Sequence, residues 1–346
     1  MESLYWVINH ACHRKCRHCY DDRFRPYVRD ALEKKVLESE TAFQKIIQNL
    51  PMKIGYTDDA GDRQRGRIIL AGGEVLVDPV RERVLYPIIE ALNEKYGSEA
   101  NIIVQTTGDL VTEPILDELL KRGVWMISVA GMDDYHVGHE GEKRLPLIEK
   151  LHMLFKSRGM GEMNDDGPVR RSGETPTAWY HMFGASEDAW IGKLWPRGRA
   201  WQNGLTTASL DDNFCNAWSG GLKFLDIGKA GSEVSIEPDG SVYPCCLKTA
   251  APLGNLTEEP LTSMLESLAS EPALRAINNG DPAAMGEAYG WTRDQFVTKS
   301  TATMPTGASC SNFCIGCDAF FRETMEPILA RLRAERLRAK TLEAQP

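Results

Sequence analysis

Cys12, Cys16 and Cys19 place three thiols within eight residues, in the order Cys-x3-Cys-x2-Cys. Three thiolates from one short loop leave a bound metal group with one position open to something exchangeable. A cubic four-iron cluster suits that arrangement, because its fourth iron can take an external ligand. A structural zinc ion instead needs a fourth protein ligand, which His10, His13 or His18 could supply. Spacing alone leaves both open. A second group follows far along the chain: Cys215, Cys245, Cys246, Cys310, Cys314 and Cys317, with no cysteine between Cys19 and Cys215. Nine cysteines, an odd number, in 346 residues that begin without a signal-peptide pattern are a poor disulfide framework and a good metal inventory.

Such thiols need rigid elements behind them. The apolar run Tyr5-Trp6-Val7-Ile8 reads as a buried strand ending at Asn9-His10, which makes residues 11–20 a post-strand loop. Residues 67–71 form a second strand, stopped by Gly72-Gly73; residues 101–105 and 124–129 form a third and a fourth. Helices over 39–50, 80–95, 113–121 and 145–156 carry apolar stripes between them. This alternation predicts a parallel sheet covered on both faces or closed into a barrel. Ligands in such sheets gather at the carboxyl ends of the strands. Four segments meet there: the cysteine loop, Gly72-Gly73-Glu74, Thr106-Thr107-Gly108-Asp109 and Gly131-Met132-Asp133. Residues 161–176 read as a polar, glycine-rich loop, and residues 179–201 are aromatic. Beyond 210 come short strands at 222–226, 233–236 and 242–243, then helices at 261–268 and 320–340. A boundary near residue 205 divides the two styles.

The thiol spacing, His18 before the last cysteine and the post-strand position resemble the radical S-adenosylmethionine (SAM) superfamily. Ile68-Ile69-Leu70-Ala71-Gly72-Gly73-Glu74 is similar to that superfamily's Gly-Gly-Glu motif at the end of its second strand. The resemblance implies an α/β fold, a partial (β/α)6 TIM-like barrel over residues 1–205. It implies that Cys12, Cys16 and Cys19 hold a 4Fe-4S cluster whose fourth iron is chelated by SAM. Reductive cleavage there yields a 5′-deoxyadenosyl radical, which abstracts hydrogen from the substrate. The implied SAM contacts are Tyr20, Gly72, Gly73, Glu74, Thr106, Ser128 and Arg199. A carboxylate or carbonyl at the Gly-Gly-Glu turn would hold the ammonium group. Ser128-Val129-Ala130-Gly131 departs from a Ser-x-Asp-Gly pattern, with Ala130 at the acidic position and Asp133, Asp134 or His136 left to compensate. Thr106-Thr107-Gly108 stands where the family often has Thr-Asn-Gly. Arg199, within Pro196-Arg197-Gly198-Arg199-Ala200, resembles a recurrent Gly-Arg-Ala whose guanidinium can grip the SAM carboxylate. A solvated loop arginine is the other reading.

Gly240-x4-Cys245, followed by Pro252-Leu253-Gly254-Asn255-Leu256, looks like the auxiliary-cluster extension called SPASM, or its shorter form, twitch. That extension would cover residues 206–325, with a C-terminal helix over 326–346. The cysteine count fits one auxiliary 4Fe-4S cluster on Cys215, Cys245, Cys314 and Cys317. Cys310 or Cys246 could replace one ligand, and both could instead be ordinary buried small residues, the favoured reading for Cys246.

The function so implied is a radical SAM enzyme that oxidises, cross-links or rearranges a small molecule or peptide. A start at the first strand, with no leader-binding domain ahead, tilts toward a small molecule or a peptide presented by a separate carrier protein. A flavodoxin or ferredoxin would supply electrons. A net charge of −9 argues against DNA as a partner. The lack of a long apolar run argues against a membrane span, and the expected compartment is the cytoplasm. Trp179, Trp190, Trp195, Trp201 and Trp218 could wall a substrate cavity or simply pack the fold, and His136 and His139 could reach substrate or cap a loop. The contrasting class is a zinc-binding structural protein with two cysteine modules, holding zinc and no sulfide.

Overall fold

The computed structural model describes every residue except 165–166, 170–175, 185–193, 217–219 and 344–346. Strands and helices alternate through the first half: β1 (Ser3–Asn9), α1 (Asp30–Asn49), β2 (Gly55–Thr57), β3 (Arg63–Gly72), α2 (Tyr86–Tyr96), β4 (Ala100–Thr106), α3 (Glu113–Lys121), β5 (Met126–Ala130) and α4 (Leu145–Ser157). Helix α1 begins well before residue 39. Its extra turns, Ala31 to Glu38, are almost all strong helix formers, and Asp30 and Glu33 complement the dipole of its first turn.

The strands β1, β3, β4 and β5 run parallel, with Trp6 opposite Leu70 and Val104 opposite Ile127. Their two faces differ. Leu4, Trp6, Ile8, Ile68, Leu70, Ile102 and Val104 pack with α1–α4 in the main core. Ile69, Ala71, Ile103 and Met126 form a separate inner cluster with Tyr5, Trp125, Met163 and Trp179. The period of two along each strand sorts these side chains to opposite faces.

The region expected to be a loop contains strands. β6 (Gly161–Asn164) turns back through β7 (Gly167–Pro168), and β8 (Trp179–Phe183) inserts between β5 and β6, parallel to both. Packing creates β6 where local pattern does not: a Cβ on Gly161 would stand 2.6 Å from the Trp179 ring. The resulting order, β1-β3-β4-β5-β8-β6, is an open sheet.

After the short helix α5 (Gly198–Gln202), β9 (Glu233–Ile236) joins the free edge of β1, again parallel, and β10 (Ser241–Tyr243) and β11 (Gly254–Asn255) continue antiparallel. One sheet therefore crosses the boundary drawn near residue 205. The strand expected at 222–226 is a run of turns, because Gly221 (φ +98°) and Lys223 (φ +58°) leave the extended region. The chain finishes with α6 (Leu261–Leu268), α7 (Pro272–Asn278), α8 (Arg293–Lys299), the hairpin β12 (Thr301–Thr303)–β13 (Ser309–Ser311), α9 (Phe313–Phe320) and α10 (Glu326–Glu343). Among the described residues no helix is long and apolar enough to cross a membrane. Trp179 lies in β8 and Trp201 in α5, while Trp190 and Trp218 lie outside the described residues.

Candidate functional site

The loop after β1 is pressed against the loop after β3. Gly73 N–H donates to the Asn9 carbonyl at 3.1 Å and Glu74 N–H to the Ala11 carbonyl at 2.8 Å. A Cβ on Gly73 would stand 2.4 Å from the Ala11 oxygen, so only glycine allows this approach. The Glu74 carboxylate is already occupied. Thr106 Oγ1 and Leu76 N–H donate to one oxygen, and the Thr107 N–H and hydroxyl donate to the other, all within 2.7–2.9 Å. Glu74 is 2% exposed and ties the ends of β3 and β4 together. Its carboxylate is thus bonded within the fold and is not among the groups that line the cavity. The backbone of Gly72 and Gly73, which does line the cavity described next, retains the carbonyl option.

Helix α5 clamps the cysteine loop from the other side. Gly198, at φ +50°, lies so close to Tyr20 that a Cβ would stand 2.4 Å from its carbonyl carbon. Arg199 N–H donates to the Cys19 carbonyl at 2.8 Å. Its buried guanidinium donates to the carbonyls of Cys16 (2.7 Å), Asp22 (3.0 Å) and Phe24 (2.7 Å). Arg199 is therefore not a solvated loop arginine: three backbone carbonyls take one N–H from each of its nitrogens, while its side chain still lines the cavity described next. Its neighbour Arg197 reaches the other way, to the Cys314 carbonyl (2.9 Å) and the Asp318 carboxylate (3.1 Å) on α9. One short motif therefore touches both cysteine regions.

Cys12, Cys16 and Cys19 open onto one cavity. Gly72, Gly73, Gln105, Thr106 and Thr107 form one wall; Tyr5, Tyr20, Phe24, Phe183, Leu194 and Trp195 form an aromatic and aliphatic wall. Tyr20 and Trp195 meet edge to face with ring centroids 5.0 Å apart. Arg14, His18, Ala130, Asp133 and His136 supply the polar side. Ser128 does not line the cavity, because it sits within β5, one pleat short of the strand end; Ala130 and Asp133 do. Asp133 accepts from Nδ1 of His136 at 2.9 Å and from the His136 backbone N–H at 3.1 Å. Asp134 faces outward to Arg144, and His139 Nδ1 is held on the Gly131 carbonyl. The histidines considered as zinc ligands are engaged elsewhere: His10 with Glu237 at 3.0 Å and His13 with Asp109 at 2.7 Å. His18 packs against the His136 ring, and burial pushes its pKa down to about 4, so it is neutral at pH 7.

The second group assembles beside the same cavity. Burial raises the pKa values of Cys215, Cys245, Cys314 and Cys317, and the charges of neighbouring thiols raise those of Cys215, Cys314 and Cys317 further. Cys310 has its thiol 3.9 Å from the Ala208 carbonyl and close enough to Cys314 to raise that thiol's pKa. Cys246 packs with Ala208, Phe214 and Leu247 and also lines the cavity, between the two groups. Sequence spacing does not reveal that contact. Burial likewise pushes Cys12 up to about 12 and Cys19 up to about 11. A metal group binding either set must displace protons.

Zinc bound at Zn–S distances of about 2.3 Å holds its sulfurs about 3.8 Å apart. Among the described residues, the one group of three or more potential ligand atoms all within 4.8 Å of one another is His10, Asp21 and Glu237; no cysteine trio is that tight.

Residues 229–286 match the SPASM family, described as an iron–sulfur cluster-binding domain. This segment includes β9–β11, Cys245 and Cys246. No curated protein matches the sequence. Among solved structures, BtrN in complex with AdoMet and 2-DOIA is 14% identical, with 81% of this chain and 88% of that chain covered and a TM-score of 0.42. Native anSMEcpe with bound AdoMet and the Cp18Cys peptide is 14% identical, with 96% and 99% covered and a TM-score of 0.42. Streptococcus suis SuiB bound to S-adenosylmethionine is 11% identical, with 84% and 68% covered and a TM-score of 0.38. All three are loose likenesses.

Proposed function

We propose that this chain is a radical SAM enzyme. Cys12, Cys16 and Cys19 would hold a 4Fe-4S cluster with SAM in the adjoining cavity. Cys215, Cys245, Cys314 and Cys317 would hold one auxiliary 4Fe-4S cluster, with Cys310 or Cys246 the residues that could replace one of them. Residues 1–205 would form the SAM-binding unit and residues 206–325 the auxiliary one. The observation that carries this reading is the shared cavity: three loop thiols, the Gly72-Gly73 turn and an aromatic wall all face it.

When bound, the first cluster supplies the one-electron cleavage of the SAM sulfonium that generates a hydrogen-abstracting 5′-deoxyadenosyl radical. The chain itself supplies position and shelter. Gly72 and Gly73 leave backbone exposed to a ligand amine, and Arg199 fixes the loop that carries the thiols. Tyr5, Tyr20, Phe24 and Trp195 exclude water from the reacting atoms. Asp133 holds Nδ1 of His136, which leaves Nε2 as the ring nitrogen able to take a substrate proton. The substrate is a small molecule or a peptide segment that fits between the aromatic wall and this pair, and a flavodoxin- or ferredoxin-type donor would supply electrons.

The test is anaerobic reconstitution with iron and sulfide counting, followed by a dithionite-driven assay for 5′-deoxyadenosine. About eight irons with matching sulfide and release of deoxyadenosine are expected. A colourless zinc protein without sulfide overturns the reading.

A further inference from the structure

Outside the cavity lining, five charged or titratable side chains join the two thiol-bearing regions. His10 precedes Cys12 by two residues, Asp21 follows Cys19 by two, and Arg23 lies just beyond. Glu237 comes directly after β9, and Lys248 follows Cys245 by three residues. Glu237 is the centre: His10 Nε2 lies 3.0 Å from it, Arg23 2.7 Å and Lys248 Nζ 2.6 Å. Arg23 and Lys248 also reach Asp21, each at 2.6 Å. The Glu237 side chain is 3% exposed, that of His10 4% and that of Asp21 8%.

His10, Asp21 and Glu237 have the proximity of a metal site, but cations from the chain already stand among their carboxylates. The ammonium of Lys248 bridges both acids, and the guanidinium of Arg23 does the same from the solvent side. Lys248 holds this place at φ +65°, a backbone conformation that costs a side-chain-bearing residue free energy and persists where the surroundings enforce it. Two of the five groups bracket the first cysteine loop, and the other two ends of the network belong to the hairpin and turn that carry Cys245.

We propose that Glu237 is a positioning residue, the hub of a lock by which the second segment orders the first cysteine loop. Residues 12–20 are anchored at both ends, through His10 and Asp21, to a carboxylate more than two hundred positions away. Removing one member of such a buried set strands the remaining charges, whereas removing two opposite members together strands fewer.

The experiment is hydrogen exchange on the full, reconstituted chain. Glu237→Gln is expected to speed exchange of the residue 12–20 amides by about tenfold while β4 and α2 keep wild-type rates. Glu259→Gln is the control, since it breaks a buried ion pair, with Arg336 of α10, that joins the second segment to the C-terminal helix and touches no residue of the first segment. It is expected to leave residues 12–20 unchanged. The pair Glu237→Gln with Lys248→Met should speed loop exchange by less than the product of the two single effects, which a purely steric role would not produce. Unchanged loop exchange in Glu237→Gln, or an equal rise in Glu259→Gln, overturns the lock. Should Glu237→Gln fail to fold, Arg23→Ala, which touches the hub from the exposed side, carries the same expectation and the same refutation. Loop exchange tests the lock and deoxyadenosine release tests the proposed function, so either can fail alone.

Discussion

The two thiol regions are built in opposite ways. Cys12, Cys16 and Cys19 come from one loop and face a cavity, whereas Cys215, Cys245, Cys314 and Cys317 come from three separate stretches and close on one another inside the wall. A compact loop beside open space suits a group that must exchange a ligand. A set assembled only by folding, from stretches around residues 215, 245 and 314–317, suits a group that keeps its ligands. The difference lies in how the ligands are assembled and in which set faces the cavity, since all seven are buried or half-buried thiols with raised pKa values.

The largest expected effect tests the open side. Replacing Cys12, Cys16 and Cys19 together with alanine should abolish deoxyadenosine release and remove about four of about eight irons. A variant that still cleaves SAM breaks the comparison. Cys317→Ala should remove a similar amount of iron yet keep dithionite-driven SAM cleavage of the order of the wild type, while turnover of the natural substrate falls. Loss of both activities together would mean that the closed set is needed for the first step as well.

Arg199→Met should lower stability by about 3 kcal/mol in urea titrations, because it leaves three carbonyls of the loop without their charged donor. Disorder confined to the first loop is the sharper signature. The smallest effect concerns acid. Although burial disfavours the charge, His10, Lys248 and Arg23 outweigh it and hold Glu237 down at about 2, against an ordinary 4.5. A depressed carboxylate adds stability that is complete above about pH 4.5 and lost as pH falls through about 2. Glu237→Gln should therefore flatten that limb of an acid titration of the metal-free chain, by up to about 3 kcal/mol.

Much of the first half is legible in the sequence because its strands are nearly unbroken apolar runs and its helices carry clean stripes. The alternation, the cysteine loop and the Gly-Gly-Glu turn are all readable there. What escapes is whatever depends on distant partners. β6 and β8 exist by packing against each other and β5, not by any local period. The bonds of Glu74 and Arg199 escape for the same reason: their residue types announce ligand binding, but only the fold reveals that Thr106, Thr107 and three loop carbonyls are their partners. The lock at Glu237 joins residues separated by most of the chain, and no spacing rule connects His10 to Lys248.

The seat of β9 on β1 has a practical consequence. Ser3 to Trp6 hydrogen-bond along Glu233 to Ile236, so the late segment is a plank of the main sheet and not a detachable accessory. Truncation after residue 205 in search of a minimal catalyst would bare a raw edge bearing Leu4 and Trp6, a ready template for stacking one molecule onto the next. Protein engineers wishing to shorten this chain should trim from the opposite rim, at β7, where the sheet already ends.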